Sequence, residues 1–356
     1  MHQAIVHIGT EKTGSTAIQN FLYKNEALLA KHGYRFPWRT CGLISNFRLA
    51  IHCLNENEPL LVAMDRRTKN SEQFASFADN PSLWREQFTQ EHDKEIQKLQ
   101  KQHEHSTMVY SSEHFHSRIV QESEVERLRE YLMRHYDQVK IIAYLRRQDR
   151  LAISGHNTSI QSGAVNEFDF SRLDNKATYF DYLSLITRWS NVFGRDNIIV
   201  KVYERSRLIG QDVGKDFKST VLTPELSEEF DQSEVHYERS NPRLSYSALQ
   251  VLKTFNKMKP DDTEFKGVTK DRLRQPLIAE LHNLNDDFGE VLPSRQAVET
   301  FYARFSDDNQ TVFSNWGDGQ SFNDDFSMFP IDAPSKPRID AKALLTQYLE
   351  PALRAL

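Results

Sequence analysis

The sequence predicts an α/β protein: a central, mainly parallel sheet flanked by helices, with helical additions towards the C-terminus. Three observations predict it. Short β-branched apolar runs recur through roughly the first two hundred residues, segments of helical period separate them, and beyond residue 210 the pattern is mostly helical.

Residues 4–8 form the first run, apolar throughout and stopped by Gly9, as expected of a strand covered on both faces. Ile18, Phe21, Leu22, Leu28 and Leu29 then recur at helical spacing, with Gly33 where such a helix ends. Residues 38–100 are irregular and polar in the middle, closing in an amphipathic segment around Ile96 and Leu99. Residues 107–110 read as the second strand, Val125, Leu128 and Leu132 mark a helix, and residues 139–145 are the third strand. A helix from about Leu151, a longer one over 179–193 and a strand over 198–203 continue the alternation. Later helices fall near 245–255, 271–284 and 294–305, and a last one near 341–353 follows a loop over 330–337. With no internal repeat, one domain over 1–356 is expected, with 37–105 a variable insertion and 330–356 a C-terminal extension.

A chain of 356 residues with 38% hydrophobic and 27% charged residues has enough apolar surface for a full core. Its net charge of −5 argues against a general nucleic-acid binder, which needs a positive field to displace counterions. Cys41 and Cys53 are too few for a disulfide framework and wrongly spaced for a paired-cysteine zinc site, so a reducing, cytoplasmic setting is expected. No stretch approaches the ~20 apolar residues that span a bilayer, and stable membrane insertion is not expected.

The most informative segment is Gly9-Thr10-Glu11-Lys12-Thr13-Gly14-Ser15-Thr16, between the first strand and the first helix. Backbone N–H groups converge on anions at such a place, and the helix dipole adds favourable potential. A nucleoside-triphosphate loop has its lysine after the second glycine. Here Lys12 precedes Gly14, while Ser15 and Thr16 supply hydroxyls. Lys12-Thr13-Gly14-Ser15-Thr16 resembles the 5′-phosphosulfate loop of the sulfotransferases that use 3′-phosphoadenosine 5′-phosphosulfate (PAPS).

That resemblance implies a P-loop-like sulfotransferase fold, PAPS as donor, and Lys12, Thr13, Gly14, Ser15 and Thr16 as donor-binding residues. It extends to Arg146 and Ser154, eight residues apart after the third strand, which the likeness assigns to the 3′-phosphate. Arginine suits that role because its charged fork donates two hydrogen bonds. Arg147 and Arg150 individually read as a solvated basic helix start. Ser112-Glu113 resembles the Ser-Glu pair that the bacterial carbohydrate-type branch shows in the family's base region, making Glu113 the first choice for the catalytic base. His114 and His116 remain open, since histidine accepts a proton near neutrality with little perturbation. The two histidines have no third ligand at a telling spacing, so no metal is expected. Weaker matches are Tyr203-Glu204-Arg205, Asp216-Phe217, the segment from Asn241 to Ser245, and Phe301 to Phe305 followed by Asn309.

The reaction implied is in-line displacement at sulfur by an acceptor hydroxyl or amine, on a saccharide, polysaccharide or glycolipid. Lys12 would neutralise the bridging oxygen while the base takes the proton. Tyr34, Phe36, Trp38, Arg39, Arg66, Arg67 and Arg118 offer aromatic faces and cations for such an acceptor. Two rivals are a small-molecule or nucleotide kinase, which needs a magnesium-holding carboxylate after a strand, and a non-catalytic nucleotide-binding protein.

Overall fold

A computed structural model describes residues 1–42, 44–56, 80–174, 178–232, 244–259, 268–284 and 291–356. In chain order the elements that matter are β1 His2–His7, α1 Ser15–Lys24, α2 Glu26–Lys31, β2 Tyr34–Arg35, α3 Phe47–Cys53, α4 Pro81–Gln102, β3 Ser106–Ser111, α5 His114–Ser117, α6 Glu122–Leu132, β4 Gln138–Leu145, α7 Gln148–Gln161, α8 Tyr182–Phe193, β5 Ile198–Val202, α9 Val213–Val221, α10 Pro224–Gln232, α11 Tyr246–Lys257, α12 Lys270–Leu281, α13 Arg295–Tyr302, α14 Ser306–Trp316 and α15 Ala341–Arg354. They divide into two compact units, one of Met1–Arg146, Asn175–Ser240 and Phe305–Phe322, the other of Arg147–Asp174, Asn241–Arg304 and Asn323–Leu356.

The first unit carries a five-stranded sheet in the order β2-β3-β1-β4-β5, parallel at every pairing. β1 is central because its residues Ala4, Ile5 and Val6 are apolar on both faces and can be covered on both. Ile5, Val109 and Ile142 pack with Phe21 and Leu22 of α1 and Phe217 of α9. Tyr110, the next residue along β3 and so on the opposite face, meets His92 of α4, Nε2 to hydroxyl 2.9 Å. The chain enters β3 on one side of β1 and then crosses to β4 on the other, so β1 lies at the point where the order of strands reverses. Ligand sites of open α/β sheets gather at the carboxyl ends of strands at such a point.

The predicted strands are all present within a residue or two of their expected bounds, but the expected helix over 18–29 is two. Asn25, with φ −105°, breaks it; its side chain donates back to the Phe21 carbonyl at 2.8 Å and its carbonyl accepts from Leu29 at 3.0 Å. The stretch read as irregular holds α3 and the 22-residue α4. α4 starts on Asn80, whose side chain accepts from Leu83 N at 3.0 Å, with proline at the first turn. It buries Trp84, Phe88, His92, Ile96 and Leu99, one residue per turn along a single face. Because two of the five are aromatic and one is histidine, the stripe is hard to see by hydropathy alone.

The second unit is helical. α11, α12 and α15 enclose a core that includes Val251, Phe255, Leu277 and Leu349, to which α7 adds Ile160. Arg147 does not behave as a solvated helix start: it is 4% exposed and forks onto Asp149 at 2.8 and 3.0 Å. Its Nη1 also donates to the carbonyls of Asn323 and Asp325, and the guanidinium lies over the Phe326 ring at 4.2 Å. A buried charge met by this many acceptors is a brace. Among the described residues no helix is long and apolar enough to cross a membrane.

Candidate functional site

The loop after β1 is tied to the strand beside it before it turns. Ile8 N and Thr10 N donate to the carbonyls of Ile142 and Tyr144, and Tyr144 N donates to the Gly9 carbonyl at 2.8 Å. The turn itself needs left-handed backbone at Gly9 (φ 95°), Lys12 (φ 63°) and Gly14 (φ 77°). Thr13, fully buried, turns its hydroxyl inward to the Thr10 carbonyl, so it holds the shape of the loop instead of presenting a donor outward. Gly14 then starts α1 with no side-chain cap, its own carbonyl accepting from Ala17 and Ile18. The N–H groups of Ser15 and Thr16 are the ones an anion at this helix end can take, those of Thr10 and Glu11 being bonded to the Tyr144 carbonyl and to His116. Ser15 is buried and Thr16 exposed, so their hydroxyls are not equivalent.

Close approach explains the second glycine. A Cβ on Gly14 would lie 2.7 Å from Val213 Cγ1 and 3.3 Å from Tyr203 Cε2, so α9 and the end of β5 press directly on the turn. Gly9 is similarly tight: a Cβ there would sit 3.3 Å from the Cα of Glu113. Glu113 thereby comes beside the loop. β1 and β3 run in register up to His7 opposite Ser111, and Ser112 N then donates to the His7 carbonyl at 3.0 Å.

Lys12 is half-buried, and burial lowers its pKa; Glu11 and Glu113 act to raise it and Arg146 to lower it further. Two cations and two carboxylates are therefore electrostatically joined at the carboxyl ends of β1, β3 and β4. Arg146 Nη1 donates to the Lys12 carbonyl at 2.9 Å, its guanidinium lies 5.7 Å from the centre of the Tyr203 ring, and its own carbonyl accepts from the Tyr182 hydroxyl at 2.6 Å. Ser154 lies half-buried on α7 of the second unit.

The three base candidates differ in surroundings. Glu113 is partly exposed, and Gln19 Nε2 donates to its Oε2 at 2.8 Å. His116 is completely buried, and burial takes its pKa down to about 4. Its Nδ1 accepts the Glu11 N–H at 3.3 Å, which assigns the proton to Nε2. His114 has its pKa lowered mainly by burial, and its Nδ1 is buried with no hydrogen-bond partner among the described residues. Gln19, which bonds to Glu113, is the residue of this site that sequence reading passed over. The signal was a glutamine on the same side of α1 as Ser15 and Leu22, buried to 2% exposure among apolar neighbours.

Of the side chains proposed for an acceptor, Trp38 packs against the core that holds Tyr34 and Phe36. Tyr34 and Phe36 belong to the core beneath α1. Trp38 donates to Glu26 at 3.0 Å with Arg39 over its ring at 4.3 Å, and Arg118 is half-buried. Arg66, Arg67 and the segment Asn241-Pro242-Arg243 lie outside the described residues. Phe301 stacks on Phe170 at 4.5 Å and Asn309 is buried, both ordinary packing.

No protein-family model matches the chain. A curated relative, an uncharacterized protein of Archaeoglobus fulgidus, is 27% identical over 180 residues; that segment is 50% of this chain and 45% of the relative, so the match spans about half of each. Among solved structures, the sulfotransferase domain from the Synechococcus PCC 7002 olefin synthase aligns over 86% of this chain and 94% of its own length. It does so at 13% identity and a TM-score of 0.29, too low for the likeness to carry a functional conclusion.

Proposed function

We propose that the chain is a sulfotransferase that takes its sulfuryl group from PAPS and delivers it to a hydroxyl or amine of an acceptor, a saccharide, polysaccharide or glycolipid. The observation that carries this reading is the approach of Glu113 to the loop that bears Lys12: the loop leads into an uncapped helix, a Cβ on its Gly9 would lie 3.3 Å from the Glu113 Cα, and Glu113 follows the neighbouring parallel strand. A loop of this kind suits a phosphate ester, and a carboxylate beside it suits removal of a proton from an attacking group.

In this reading PAPS supplies an activated sulfuryl group whose departure leaves charge on a phosphate oxygen. The N–H groups at the head of α1 would hold the 5′-phosphate, and Lys12 would meet that developing charge. Arg146, bound to the loop through the Lys12 carbonyl, brings a second positive charge to the nucleotide. Ser154 is assigned to the 3′-phosphate by the resemblance of its interval from Arg146 to that of the family. Glu113 takes the acceptor proton, held in orientation by Gln19. His116, with Nδ1 occupied by the loop, serves the shape of the site. The test is transfer of radiolabelled sulfate from PAPS to a panel of glycans and glycolipids; labelled product supports the reading, and transfer of phosphate from ATP with magnesium in its place refutes it.

A further inference from the structure

Glu11 is an acidic side chain inside a loop read as an anion site, directly before its lysine. Of the charges acting on Lys12, that of Glu11 is the strongest. A carboxylate free to swing onto Lys12 would compete with any phosphate for it. The structure holds Glu11 at both ends instead. Its Oε2 accepts from the Tyr179 hydroxyl at 2.9 Å, and its backbone N–H donates to His116 Nδ1 at 3.3 Å. The two holding rings are neighbours, centroids 5.2 Å apart, and come from separate segments: His116 from α5 after β3, Tyr179 from the stretch that leads into α8.

Resting on the sulfotransferase reading above, we propose that Tyr179 and His116 are positioning residues that keep Glu11 turned from Lys12, so that the lysine stays available to the 5′-phosphate of the nucleotide. The chemistry of both holders fits. Burial and the neighbouring Glu11 charge raise the Tyr179 pKa, so the phenol remains a donor throughout the neutral range. Burial keeps His116 neutral, so its Nδ1 remains an acceptor. The Glu11 N–H is consequently committed to His116 and takes no part in binding the anion.

Calorimetry separates this from a merely structural role. The probes are 3′-phosphoadenosine 5′-phosphate and adenosine 3′-phosphate, which lacks the 5′-phosphate; circular dichroism verifies that each variant is folded. Tyr179→Phe should weaken the first probe about tenfold and leave the second within about twofold. Adding Glu11→Gln to Tyr179→Phe should restore affinity, because the released side chain no longer carries charge. If the wild type binds the bisphosphate and Tyr179→Phe binds it equally well, or the double variant stays as weak as the single, the positioning role is wrong while the sulfotransferase reading stands. A folded wild type that binds neither probe removes both.

Discussion

Gln19 Nε2 donates to Glu113 Oε2 across 2.8 Å, joining the first helix after the loop to the carboxylate that follows β3. The same Nε2 lies 3.4 Å from the Ser111 carbonyl, so the amide is anchored on the strand end that carries Glu113. A hydrogen bond to a charged group is worth about 1.5–3 kcal/mol. Gln19→Leu should therefore cut sulfuryl transfer about tenfold or more while nucleotide affinity, read by calorimetry, stays within about twofold. Equal losses in both would mean that the glutamine serves the loop and not the carboxylate.

Glu113→Gln preserves size and removes the proton acceptor. The expected outcome is a loss of turnover on the order of a hundredfold or more with donor binding retained, since general base catalysis typically contributes about 10²–10⁴-fold. Single-turnover measurements on donor-saturated protein check it. Unchanged turnover would move the base to His114.

Lys12→Ala removes the cation proposed to meet the developing charge, and one such donor is worth about 10²–10³ in rate. Radiolabelled transfer should fall by about that factor. Full activity in this variant would take the lysine out of the chemistry.

Gly14→Ala tests the packing of the loop. Its φ of 77° and the 2.7 Å approach to Val213 Cγ1 act together. Left-handed backbone alone costs a non-glycine residue about 1–2 kcal/mol, and the contact adds to it. Chemical denaturation should show a loss of at least that size. A variant as stable as the wild type would mean that α9 yields easily.

Buried histidines set a pH dependence of stability. Burial holds the pKa of His7 and His92 down to about 3 and that of His116 to about 4, against 6.5 when unfolded. Between those folded values and 6.5 the unfolded chain binds protons that the folded chain does not. Stability therefore falls as pH drops through that window and is unaffected by these groups above it. The slope is up to about 1.4 kcal/mol per pH unit for each histidine. Denaturation at pH 7 and pH 5 should show a marked drop, smaller by about 2 kcal/mol in His92→Gln. An equal drop in that variant would contradict the assignment for His92.

Much of the fold was legible because parallel strands covered on both faces announce themselves as short apolar runs, as at Ala4, Ile5 and Val6 or Ile141 and Ile142. The loop was legible because glycine is needed where backbone is left-handed and side chains press close, at Gly9 and Gly14. What stayed hidden depends on partners distant in sequence. Nothing adjacent to His92 in sequence announces its burial, which depends on Tyr110 and Thr40, each at 2.8 to 2.9 Å. Arg147 reads as surface until Asn323 and Asp325 close over it. Gln19 offers only its place on the inward side of α1 and Tyr179 nothing local, because their contacts lie with Glu113 and Glu11.

The central claim is that the loop at the head of α1 and Arg146 select an adenosine phosphorylated at both its 3′ and 5′ positions. Calorimetric titration of the intact chain with 3′-phosphoadenosine 5′-phosphate, adenosine 5′-phosphate and ATP, each with and without magnesium, tests it most directly. The bisphosphate should bind without magnesium and at least about tenfold more tightly than either other nucleotide. Tighter binding of ATP that requires magnesium, or no heat of binding for the bisphosphate with a folded protein, would contradict it.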